Sequence, residues 1–346
     1  MTDTRSPATT GVTGRRAPHA GNLLPVIGVV VVAAVVAILP ILVDNFAFNY
    51  LMSYMVITCI LALTLHLLMG LAGVFSLGQA AMFGAGAYAA VVIIGQTGID
   101  GTLGLFLVAA VGAAIGLLMG LVTLRTSDLY LALTTLAFGY IVENLVRNSE
   151  WLGGPQGITG FDITFAGSYL DEPKLLYWVG LGFLYLLIVI IMSVRRSKVG
   201  RALMATRESP IAARSIGIDT RRYKLLAFGV AGAFAAVAGG LYTAYALVVD
   251  PSVFGIDLTL SVLAIAIVGG LRSMPGIIVV AIALTYFRNS AETFGASQYV
   301  LLIYGLLIVL TLRFLPQGLG GLLTSPRVLA VTRSIRDRFR NGRGTR

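Results

Sequence analysis

Residues 195–224 read RRSKVGRALMATRESPIAARSIGIDTRRYK, a polar island in a chain that is otherwise mostly hydrocarbon. Nine of them are Lys or Arg, against two acids, Glu208 and Asp219. Positive charge flanking membrane spans stays on the cytoplasmic side, so the loop is expected there. Its middle carries the marks of a short, bounded helix. Ser209 suits the N-cap, Pro210 suits the first helical position, where its missing N–H has no partner anyway, and Gly217 suits the left-handed position past the last turn. After Ile211, residues Ala212, Ala213, Ile216 and Gly217 are expected to share one small, smooth face, with Arg214 pointing elsewhere. Held between two long spans, such a face suits a groove on another protein. The plainer reading is a charged connector that fixes topology and touches lipid headgroups.

Composition bounds the rest. Hydrophobic residues make up 57% of the chain and charged residues 12%, and mean hydropathy is +0.90, too apolar for a water-soluble globule. The fold class is therefore all-α, a polytopic transmembrane helix bundle. One Cys (Cys59) excludes an intrachain disulfide framework, and one Cys with two His cannot supply a structural zinc site. The net charge of +10 does not point to nucleic acid, because 20 of the 25 Lys and Arg lie within 1–22, 195–224 and 313–346. They are topology signals first, and no nucleic-acid partner is expected; membrane lipid is.

Residues 1–22 are polar and lack an apolar pattern, which reads as a disordered cytoplasmic tail. Leu23–Leu42 is too long for a signal-peptide core and lacks a small-x-small cleavage site, so it reads as a retained first span. Further spans are expected near 50–69, 80–96, 103–124, 129–146, 175–194, 225–249, 258–268, 277–287 and 299–315. That makes about ten, a membrane domain over 23–318 and a basic tail at 319–346, with both termini cytoplasmic. Two glycine-rich stretches interrupt the pattern, GLAGVFSLGQ at 70–79 and GGLRSMPG at 269–276. Broken backbone at membrane depth is tolerated only where it is buried in protein or lines a cavity, and paired breaks in two halves point to a transport pathway. The first is expected to be re-entrant, with Ser76 and Gln79 facing inward; a tight turn with Ser76 as a cap is the alternative. Gly112, Gly116 and Gly120 recur every four residues and form a stripe for close helix packing. Thr134 and Thr135 add polarity to 129–146, either as pathway residues or bonded back to their own helix.

Several runs together resemble the LivM-type permeases of branched-chain amino acid ABC importers. They are SLGQAAMFGAGAY (76–88), LYLALTTLAFGYIVENL (129–145), GGPQGITG (153–160), VGRALMATRESPIAARSIGIDTRRYKLLAF (199–228), AGGLYTAY (238–245) and LRFLPQGLGGL (312–322). The spacing Ala212-Ala213-x-x-x-Gly217 resembles the loop by which such permeases contact their ATPases, with Ile211 where the common pattern has Glu. The resemblance implies a multi-pass protein of a prokaryotic cell membrane in which 210–217 is a coupling helix. It implies a LivH-like second permease, two ATPases of LivG-like and LivF-like type, and an extracytoplasmic substrate-binding protein. ATP and Mg would sit on those ATPases, since this chain has no G-x-x-x-x-G-K-[ST] run and no cofactor of its own is expected. Ser76, Gln79, Thr134 and Thr135 are the candidate substrate contacts.

Other readings stay open. The same broad family includes permeases for urea, short amides and sugars, and Gln79 stands where many relatives carry His. An ion-coupled secondary transporter would show unpaired carboxylates in mid-span, whereas Glu143 has Arg147 one turn on. An intramembrane Ser-His protease would need His66 as base, yet no G-x-S-G run accompanies it.

Overall fold

The computed structural model describes residues 45–123, 128–170, 172–295, 297–315 and 318–323. The expected tail 1–22, the first span Leu23–Leu42 and residues 324–346 of the basic tail lie outside them. Asn45 accepts from the Phe48 amide at 3.3 Å and starts α1 (Phe46–Leu65), which continues through a wide turn, His66–Leu71. A non-helical stretch, 72–78, leads into α2 (Gln79–Ala90), which also ends in a wide turn, Val91–Gln96. Next come α3 (Gly101–Thr123), α4 (Asp128–Arg147), α5 (Pro173–Arg196), α6 (Lys198–Glu208), α7 (Pro210–Ser215) and α8 (Thr220–Ala246). The chain continues with α9 (Ile256–Gly269), α10 (Met274–Thr293), α11 (Val300–Phe314) and α12 (Gly318–Leu323).

Eight helices among the described residues are long and apolar enough to cross a membrane. The expected short pieces 258–268 and 277–287 are part of longer helices, spanning Pro251–Gly269 and Met274–Thr293. The span expected at 129–146 is helical as α4 but is not among those eight. Its Glu143 and Arg147 pair at 2.8 Å.

Small residues set the packing around α8. A Cβ placed on Gly112 would strike Gly232 O and Ala236 Cβ, and one on Gly116 would strike Phe228 O. One on Gly239 would strike Phe83 O, and one on Gly86 the Ala236 backbone. Gly120 faces the side chains of Leu225 and Phe228, at 3.0–3.2 Å from such a Cβ. α8 therefore lies with its backbone nearly in contact with α3 on one side and α2 on another, an approach only glycine and alanine permit. α1 also packs beside α8 and buries Ile57, Ile60, Leu61 and Leu63 almost completely.

The two glycine-rich breaks meet. His66 Nδ1 lies 2.8 Å from the Leu271 carbonyl oxygen; a carbonyl can only accept, so the ring donates from Nδ1. Gly70 lies so close that a Cβ there would overlap Leu271 O. Arg207, on α6, donates from Nη1 to the Gly70 carbonyl and lays its stem against Gly73, which sits at φ 68°. Thr135, on α4, accepts from the Leu77 amide at 2.9 Å. Backbone groups freed where the helices stop thus find partners from other elements.

At the end of the bundle away from α6, residues 157–170 fold over the helix tips. β1 (Ile158–Thr159) pairs antiparallel with β4 (Val248–Val249), and β2 (Thr164–Phe165) pairs with β3 (Ser168–Tyr169) through a two-residue turn. Both turn residues, Ala166 and Gly167, have positive φ, as tight hairpin turns require. Asp100 holds the turn, its carboxylate accepting from the Thr102 amide at 2.8 Å, Ala166 at 3.3 Å and Gly167 at 3.2 Å. These bonds, those of Thr102 above all, bring its carboxyl down from the ordinary 3.8 to about 2.

Two outcomes follow. A depressed carboxyl contributes stability above its unfolded value and loses it as pH falls through the folded one, so the hairpin should loosen between about pH 4 and pH 2. Pepsin cleavage at 161–169 should accelerate over that window, measured against Asp100→Asn, which should be cleaved readily throughout. Second, Arg207→Ala strands the buried Gly70 carbonyl and should cost about 1–3 kcal/mol. The exposed pair of Arg272 with Glu208, 3.2 Å apart, has little to lose, so Arg272→Ala should stay within about 0.5 kcal/mol. Thermal unfolding and hydrogen exchange over 70–79 check the contrast.

Candidate functional site

The short helix α7 stands out from the basic loop. Ser209 Oγ accepts from the Ala212 amide at 3.3 Å, Pro210 opens the helix, and Gly217 sits at φ 81° with its amide on the Arg214 carbonyl at 3.0 Å. The Ile218 amide returns to Ala213 O at 3.0 Å and closes the C-terminal end. Such capping holds a helix of this length in a single conformation although it is too short to persist alone.

The face it offers differs from the expected one. Ala213 is buried at 2% exposure and turned into the chain itself, so it belongs to the base of α7 and not to its outer surface. Ile211 and Ile216 are 76% and 75% exposed, and Ala212, Arg214, Ser215 and Gly217 are also exposed. The reason is that so short a helix has one side facing the chain it packs on, and Ala213, not the equally small Ala212, falls on that side. The outcome is a larger, greasier tip, two isoleucines with Arg214 alongside.

Of the four polar candidates, three gather at the first break and one does not. Ser76 is buried and its Oγ accepts from the Gly78 amide at 3.3 Å. Gln79 is buried, its Oε1 accepting from Thr64 Oγ1 at 3.1 Å, while its Nε2 has no partner among the described residues. Thr135 bonds Leu77, as above, and donates to Ala132 O at 2.9 Å. Thr134 is turned away and bonds back to Tyr130 O at 2.7 Å. The first three brace the break; Thr134 bonds only within its own helix.

A cavity of about 190 Å³ lies between α1, α2, α8, α9, α10 and α11, lined by none of these four. Its apolar wall is Ile57, Leu61, Val262 and Ile265, and its polar groups include Asp257, Arg288, Ser261 and Thr285. Aromatic rings frame one side: Tyr54 and Tyr242 stand 6.3 Å apart, and Phe83 is 5.4 Å from Tyr242. Reading the sequence missed this site. One signal was available, Arg288, a cation near the end of α10 away from the basic loop, which Glu292 one turn on pairs locally at 3.0 Å.

Comparison with known proteins gives the family. The family model for the permease component of the branched-chain amino acid transport system matches residues 46–312, from the first residue of α1 nearly to the end of α11. The chain is 35% identical over 286 residues to the high-affinity branched-chain amino acid transport system permease protein LivM of Escherichia coli K12, covering 75% of this chain and 67% of that protein. It is 30% identical over 252 residues to a probable permease protein LivH of Methanocaldococcus jannaschii, covering 68% of this chain and 79% of that one. No solved structure matches. With α1 through α10 and nearly all of α11 inside the matched region, this chain belongs to the family of branched-chain amino acid transport system permease components.

Proposed function

We propose that this chain is one of two membrane-spanning subunits of an ATP-driven importer for branched-chain amino acids, the other being LivH-like. The single observation that carries the energy coupling is the tip of α7. Two isoleucines more than 70% exposed, on a helix capped at both ends and flanked by cations, form a hydrophobic anchor suited to a groove on a protein partner. The partner is the pair of ATPases, one facing this chain and one its LivH-like neighbour, and ATP and Mg are bound there. The basic loop then faces the cytoplasm, and the end carrying 157–170 faces an extracytoplasmic binding protein that delivers the substrate.

The route of the motion follows from covalent and hydrogen-bonded neighbours. α7 follows α6 directly, with Ser209 as C-cap of one and N-cap of the other, so a push on Ile211 and Ile216 tilts α6. Arg207 on α6 holds Gly70, and Gly70 abuts Leu271. Movement of α6 therefore changes how the two breaks seat against each other. Rigid helices rocking about such a contact give alternating access.

Ile211→Asp with Ile216→Asp should leave the bundle inserted and folded, since both side chains lie outside the core. Each lost anchor should weaken ATPase binding by about 2 kcal/mol, roughly thirtyfold. Leucine uptake should fall to background while co-purification of the ATPases is lost. Ala213→Glu would not separate docking from folding, because it buries a charge in the base of α7. Uptake at the wild-type rate in the double variant overturns the reading of α7, and uptake of urea instead of leucine overturns the substrate.

A further inference from the structure

Resting on the importer reading, we infer that the cavity framed by α1, α9 and α10 is a translocation site for a small zwitterion with an apolar tail. The carboxylate lies at Arg288 and the tail points toward Leu61 and Ile265.

The chemistry of the walls is sorted along the helices. Ile57, Leu61, Val262 and Ile265 are each at most 2% exposed and make the apolar end of the cavity. Charge lies at the other end: Asp257 in the first turn of α9 and Arg288 near the last turn of α10, both where the helices approach the end opposite α6. Arg288 bonds Glu292 through Nε, and among the described residues no hydrogen bond takes its two terminal nitrogens. Those nitrogens are the planar pair suited to a carboxylate. Asp257 is in no ion pair among the described residues, which leaves its carboxylate for an ammonium group.

Size argues in the same direction. An apolar protein cavity of roughly 150 Å³ accommodates benzene, so about 190 Å³ holds a slightly larger solute. Urea would fill a small part of it and meet hydrocarbon on the side where it needs hydrogen bonds. A branched aliphatic amino acid covers both ends at once.

The floor gives the site its place in a transport step. One turn beyond Leu61 lies the segment Thr64 to His66, and one turn beyond Ile265 lies Gly269. The apolar tail therefore rests just above the contact of His66 with Leu271. Release toward the α6 end requires those two breaks to separate.

The test uses the full-length chain in lipid nanodiscs, with L-leucine, leucinamide (no carboxylate), 4-methylpentanoate (no ammonium) and urea as probes. Arg288→Gln should weaken L-leucine by about tenfold or more and leave leucinamide unchanged, because only the former has a carboxylate to lose. Arg288→Lys should retain part of the affinity, and Glu292→Gln should affect L-leucine less than Arg288→Gln does; thermal unfolding checks that all three fold. Equal weakening of L-leucine and leucinamide by Arg288→Gln would overturn the inference, as would wild-type protein that binds neither, or binds urea as well as leucine. Cells carrying the complete transporter separate the two readings. Leucine uptake that survives Arg288→Gln sinks the site and leaves the importer standing, whereas wild-type cells that take up no leucine sink the importer itself.

Discussion

A helix that gives way to a packed, non-helical connection leaves backbone amides and carbonyls in need of partners, and much of this structure is arranged around that constraint. The stops are at 72–78 and 270–273. Some of the freed groups are paired locally, as the Gly78 amide is by Ser76, but three are paired from a different element: Leu77 by Thr135 of α4, Gly70 by Arg207 of α6, Leu271 by His66 at the end of α1. A continuous helix would need none of these bonds. Their presence means that α1, α4, α6 and the α9–α10 connection cannot shift independently, since moving any one strands a buried polar group at a cost of about 1–3 kcal/mol.

Glycine makes this arrangement affordable in steric terms. His66 can reach Leu271 only because Gly70 presents no side chain in between, and Arg207 can lie along the break only because Gly73 is bare. The same residue type serves a different end at Gly112, Gly116, Gly232 and Gly239, where it brings helix backbones together without a hydrophobic driving force between them. One set of glycines admits polar partners to a break, and the other removes any gap along α8. The first is compatible with movement, while the second gives the movement a rigid body to act on.

Much of this was legible in the residues. Charge clustering marked the polar loop, the Ser-Pro start and Gly end marked α7, and four-residue glycine spacing marked the α3 seam. The two breaks announced themselves by composition. Three things were not legible. Which face of a six-residue helix is anchored depends on what lies beneath it, so Ala213 could not be told from Ala212 by spacing alone. The mutual contact of the breaks joins residues about two hundred positions apart, and nothing in either stretch names the other. The cavity draws its lining from six helices, most of it from α1 and α9, and no one segment announces it; Arg288 and Glu292 satisfy a local i,i+4 rule and so conceal that the guanidinium also faces a shared space.

The placement of the cavity relative to the breaks has a mechanical consequence. Leu61 and His66 are on one helix, a little over one turn apart, as are Ile265 and Gly269. Helical segments this short transmit displacement almost rigidly, so the spacing of Leu61 from Ile265 is tied to the spacing of His66 from Leu271. A solute that pushes the apolar wall outward therefore works against the hydrogen bond below it, and a pull on Arg207 from α6 acts on the same contact from the other side. Two sites so linked obey reciprocity: whatever free energy a docked partner contributes to opening the breaks must reappear as a change in the affinity of the cavity for its ligand. On the proposed reading, an importer coupled in this way has no need of a long relay, because a single contact between broken helices separates the proposed docking tip on α7 from the proposed cargo cavity.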